Sequence, residues 1–121
     1  MLSTAGGKGS ASREVSDVIH ANSKLSDKAQ HNYNIIDTWS DNKRVKTGIS
    51  SGKETKVGKS YRGQSQANKW NKEGNTPGRY VSEIVNRIPE GKGARLKALD
   101  YESMDAKKLF DQLDYTRHKR P

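Results

Sequence analysis

Tyr33, Lys46, Arg62 and Glu102 carry the side-chain types that chemistry at a phosphate requires. An ammonium and a guanidinium offset charge on phosphate oxygens, and the guanidinium can do so with two prongs. A carboxylate accepts a proton or ligates one divalent ion such as Mg2+. Glu102 lies beside Ser103 within a helical pattern, with Ala98, Asp105 and Leu109 along the same side. That places it at the edge of the apolar face, where it can be held rigidly. The alternative is a boundary glutamate paired with a surface lysine. Lys46 shares a strand face with Gly48, whose missing side chain leaves room for a phosphate; otherwise it is a solvated lysine. Tyr33, one strand away, stands near the same place or is a half-buried sheet residue. His31 and His118 offer a different route, since two histidines can act as base and acid in RNA cleavage by the 2′-hydroxyl. Nothing in their spacing brings them together, and His20 reads as a surface or packing residue.

The charge around these residues is uneven. Lys43, Arg44, Lys46, Lys53, Lys56, Lys59, Arg62, Lys69 and Lys72 face one opposing carboxylate, Glu54. That stretch carries +8 of the formal net charge of +9. If its elements are adjacent, they form one electropositive surface suited to nucleic acid. Tyr61, Trp70 and Tyr80 lie in or beside it and could stack on unpaired bases. For Trp70 a core role is the better reading, because a chain with 30 % hydrophobic residues has little apolar area to spare. No apolar run approaches a membrane-spanning helix, and no segment resembles a signal peptide. The chain has no cysteine, which excludes disulfides and thiolate zinc sites and lets the domain work in a reducing or an oxidising compartment.

The elements that must position these groups follow from periodicity. Residues 1–11 are rich in glycine and serine and read as a flexible head, leaving 12–121 as a single domain. A helix is expected over Ser12–Leu25. Strands are expected over His31–Asp37 and Arg44–Ser50, joined at Asp41-Asn42, with Val45, Thr47 and Ile49 on one face. Residues 51–61 read as a basic loop. A second helix runs over Arg62–Glu73, a third strand over Arg79–Ile88, and a last helix over Ala94–Leu113. The stripe of that last helix is Leu99, Ser103, Ala106, Phe110 and Leu113. Residues 118–121 form a basic tail. The result is an α+β fold: a small three-stranded antiparallel sheet flanked by helices.

The order Tyr33-Asn34-Ile35, then Lys46-Thr47-Gly48, then Arg62 opening a helix, then Glu102 in a later helix resembles the GIY-YIG nuclease core over residues 31–112. The resemblance implies a catalytic tyrosine at Tyr33, the second-motif glycine at Gly48, the arginine at Arg62 and a metal-binding glutamate at Glu102. The second motif begins with Lys46 where that family has a tyrosine, and the family's late asparagine has no match. Ser65–Trp70, Gly93–Leu99 and the ending His118-Lys119-Arg120-Pro121 look like the C-terminal toxin domains of bacterial polymorphic toxins of the contact-dependent inhibition and Rhs type. That likeness implies delivery as part of a larger secreted or cell-surface protein and action in a target cell's cytoplasm. It also implies a cognate immunity protein, expected to be acidic, and leaves a host cofactor protein open.

The expectation is a toxin nuclease that cleaves RNA, with tRNA favoured and with Tyr33, Lys46, Arg62 and Glu102 as catalytic residues. Lys43, Arg44, Lys53, Lys56, Lys59, Lys69 and Lys72 would bind the nucleic acid. The cofactor is none, or one divalent ion on Glu102. A metal-dependent DNA endonuclease and a non-catalytic basic binding module are the alternatives.

Overall fold

A computed structural model describes residues 25–118. The expected head, the helix expected over Ser12–Leu25 (all but Leu25 itself) and residues 119–121 lie outside them. The first hairpin pairs β1 (Gln30–Asp37) with β2 (Lys43–Ser50). Asp41 and Asn42 both have positive φ, 55° and 57°, which matches the twist a tight hairpin requires. Next come α1 (Tyr61–Glu73), β3 (Tyr80–Ile88) and α2 (Ala94–Lys108). The sheet is antiparallel in the order β2-β1-β3. This is the expected α+β architecture.

The central strand is buried on both faces, and its alternation assigns one helix to each. Tyr33 and Ile35 pack with Ala67 of α1, together with Val45 and Tyr80. Asn32 and Asn34 face α2: Asn32 Nδ2 donates to Ala98 O at 3.0 Å, and Asn34 Nδ2 donates to Asp105 Oδ2 at 2.9 Å. Buried amides remain stable here because each finds a partner. Trp70 is partly buried with its ring edge-on to Tyr80, 5.4 Å between centroids, so its core role holds.

Two expectations change. Val45 does not share a face with Ile49. Lys46 pairs with Ile35 and Arg44 with Ile36, so Val45 is the extra residue of a bulge. It turns into the Tyr33 cluster, while Ile49 packs with Ile88, Ala94 and Ala98. The last helix ends at Lys108 rather than Leu113. Its buried residues are Ala94, Ala98 and Ala106; Ser103 is exposed, and so is Phe110, at 68 %. Alanines allow close approach to the amide-bearing face of β1. The chain leaves the helical conformation at Leu109, which buries Leu109 and Leu113 beside Ala106 and swings Phe110 outward.

The segment after α2 forms a strap. Gln112 Oε1 accepts from Arg44 N at 3.0 Å, and Asp114 N donates to Val45 O at 2.9 Å. These bonds cap part of the outer edge of β2, which would otherwise expose unpaired backbone. Arg117 then lies 4.3 Å above the Trp70 ring and 5.3 Å from that of Tyr80. The strap thus crosses the sheet edge from the α2 face to the α1 face.

Candidate active site

Beside the uncapped part of β2 is a cavity of about 230 Å³. Lys46, Thr47, Gly48 and Ile49 all line it. Successive strand residues alternate between faces, so a cavity touching all four lies at the strand's outer edge. There, side chains from both helices meet. Tyr33 comes from β1, Arg62 and Gln66 from α1, Arg95 and Glu102 from α2, and His118 from the strap.

Tyr33 is only 1 % exposed and fixed on both sides. A Cβ on Gly48 would lie 2.4 Å from its Cζ, and one on Gly63 would lie 2.7 Å from its Cδ1. Both are closer than real Cβ contacts allow, so only glycines form this slot. The expected gap at Gly48 is therefore filled by the tyrosine ring, not by phosphate. The hydroxyl donates to Gln66 Oε1 at 2.9 Å and lies within hydrogen-bonding reach of Arg62. Burial raises the Tyr33 pKa, the Arg62 guanidinium works against that rise, and the Glu102 carboxylate adds to it. The phenol stays protonated at neutral pH and is a donor.

Arg62 is the second residue of α1, so the partial positive charge of the helix start adds to its own. Gln66 follows one turn later. Lys46 Nζ donates to Arg117 O at 3.4 Å, which ties it to the strap. Arg95 Nη1 donates to Gln30 Oε1 at 3.1 Å. Thr47 Oγ1 is buried with no hydrogen-bond partner among the described residues. Three cations and one carboxylate thus face the same space, a balance suited to an anion.

The four catalytic candidates, Tyr33, Lys46, Arg62 and Glu102, come together. The broader basic surface does not: none of Lys43, Arg44, Lys53, Lys56, Lys59, Lys69 and Lys72 lines the cavity. Arg44 faces the other side of the sheet, where it hydrogen-bonds Asn34 Oδ1 at 3.0 Å and pairs with Glu83 at 2.6 Å. Lys59 Nζ donates to Ser82 O at 2.8 Å. Lys43, Lys53, Lys56, Lys69 and Lys72 are exposed. Sequence neighbours in a hairpin and loop alternate in direction, which disperses a charge run that looks continuous on paper.

Gln66 and Arg95 were missed as site residues, and His118 was weighed only as the partner of His31. The first two had a usable signal: Gln66 is four residues beyond Arg62, and Arg95, Leu99 and Glu102 follow helical spacing on one side of α2. For His118 the sequence offered the chemistry but nothing that placed it beside Glu102, because its position depends on the strap. The histidine pair does not form. His31 lines a separate cavity with Glu54 and Arg87, and its Nε2 lies 2.8 Å from Ser60 Oγ. Glu102 is the sole carboxylate among the described lining residues, and no three His, Asp or Glu groups among the described residues cluster as a metal site. With three cations opposite, the donor set does not fit a resident divalent ion. Glu102 could serve one only as a single ligand among substrate oxygens and waters.

No protein-family model, no curated protein and no solved structure matches the chain.

Proposed function

We propose that the chain is a nuclease that cleaves a phosphodiester in RNA, with tRNA the favoured substrate, and that it is the toxic domain of a polymorphic toxin. The observation that carries the catalytic reading is the convergence of Tyr33, Lys46, Arg62 and Glu102, from four different elements, on one cavity. Arg62 and Lys46 offset the charge that develops on the phosphate in the transition state. Tyr33, kept protonated by burial, turns its one hydroxyl hydrogen from Gln66 to a non-bridging oxygen of the bound substrate rather than activating the nucleophile. Glu102 accepts the nucleophile's proton. A three-stranded antiparallel sheet with a tyrosine on β1, a glycine on β2, an arginine opening α1 and a glutamate on α2 supports the GIY-YIG likeness. The exposed lysines of the loop and of α1 would guide the nucleic acid in. An acidic immunity protein would complement the same cations in the producing cell.

The test is incubation with total RNA and with plasmid, each with and without chelator, beside E102Q. The expected result is cleaved RNA and a loss of about 10²-fold or more in E102Q. Chelator-sensitive cutting of plasmid alone would move the activity to the DNA endonuclease reading. Salt-sensitive binding with no product from either substrate would leave a binding module and end the enzymatic one.

A further inference from the structure

We infer that His118 is a catalytic residue of this cavity, the proton donor opposite Glu102 in attack by an RNA 2′-hydroxyl on the adjacent phosphate. The inference rests on the nuclease reading above and names its substrate class. His118 is 3 % exposed although it lies in a segment without helix or strand. Four contacts fix this segment. Asp114 N donates to Val45 O at 2.9 Å, and His118 N donates to Asp114 O at 2.7 Å. Arg117 stacks on Trp70, and the Tyr115 ring lies 6.5 Å from the imidazole, edge-on. Their combined result is an imidazole lining the cavity that holds Tyr33, Arg62 and Glu102.

The other proton-bearing groups there leave an opening for it. Lys46, Arg62 and Arg95 serve the charge of the phosphate. Glu102 is suited to taking a proton, and the matching donor for a leaving oxygen is an imidazolium. From β2, α1 and α2, Lys46, Arg62 and Arg95 oppose that charged form; Glu102 favours it, and so does an incoming phosphate. Tyr33 from β1 and Asp114, Tyr115 and Arg117 of the strap also belong to its ionisable surroundings.

An acid and a base around one phosphate suffice when the nucleophile belongs to the substrate, as the 2′-hydroxyl of RNA does. As the 2′-oxygen bonds to phosphorus, its proton passes to the Glu102 carboxylate. The bond from phosphorus to the 5′-oxygen breaks, and the departing oxygen takes the proton from His118. The products are a 2′,3′-cyclic phosphate and a 5′-hydroxyl.

The experiment uses the full chain, an RNA oligonucleotide that the wild type cleaves, its 2′-deoxy counterpart at the cleaved position, and a counterpart with sulfur as the 5′ leaving atom. H118Q and H118N are compared with the wild type and E102Q, using whichever His118 variant keeps wild-type RNA affinity and circular dichroism. The expected pattern is a cyclic-phosphate end, no cleavage of the deoxy substrate, and a loss of about 10²-fold or more in the His118 variant. The sulfur substrate, whose leaving group needs no proton, should recover most of that loss in the His118 variant but not in E102Q. Undiminished cleavage by the His118 variant, equal loss on both leaving groups, or 5′-phosphate ends would overturn this assignment while leaving a nuclease. A wild type that cuts no nucleic acid would remove the underlying reading as well.

Discussion

A tyrosine gripped between two glycines cannot move aside, so the position of its hydroxyl is set by the sheet register rather than by its own rotamer. Y33F should keep the ring in its slot and hence the fold. Its cleavage rate should fall by about 10²-fold, the loss typical of one donor to a developing oxyanion. G48A acts on the same geometry from the other side. A methyl group 2.4 Å from Tyr33 Cζ must displace the ring. The expected cost is about 1–3 kcal/mol in denaturant unfolding, with activity falling further than in Y33F. An unaltered G48A protein would show that the slot does not hold the ring. The sequence made the candidates visible but not this arrangement. Tyr33 and Gly48 could be placed on adjacent strands from alternation; that the ring would fill the space above Gly48 depends on pairing register and on the docking of Gly63 in α1.

The start of α1 is where element and site are coupled. Ser60 is its N-cap, accepting from Gly63 N at 3.0 Å, and its hydroxyl also meets His31. Burial lowers the His31 pKa from its ordinary 6.5, Glu54 opposes the shift and Arg87 adds to it. The unfolded chain therefore binds the His31 proton more tightly than the folded one. Stability from this group is complete above about pH 6.5 and declines as pH falls toward the lowered value. Chemical denaturation of wild type and H31Q between pH 7.5 and 5 should show a steeper decline for the wild type; parallel curves would mean that His31 does not couple to folding. S60A should cost about 1–2 kcal/mol by loss of the cap. Most strands and helices were legible from period and turn residues. The bulge at Val45 was not, since one inserted residue leaves the alternating pattern intact while reversing the face of a side chain. The end of α2 was misread for a related reason: Phe110 and Leu113 continue the helical spacing in sequence although the helix has already stopped at Lys108.

At the largest scale, three small clusters among the described residues share the burden of a core, and the strap connects the elements that carry them. Removal of the Arg117 guanidinium takes away its stacking on Trp70, worth about 0.5–2 kcal/mol. R117A should therefore lose RNA cleavage at a temperature well below that at which its far-UV helical signal melts, a separation smaller in the wild type. Coincident loss of both signals in R117A would mean the strap is not an independently loosening unit. The strap reaches the cavity only by docking on β2 and on the Trp70 ring, so the sheet and both helices can stand complete while the cavity still lacks His118. On the proposed reading, fraying of those few residues would silence the site without dismantling the sheet.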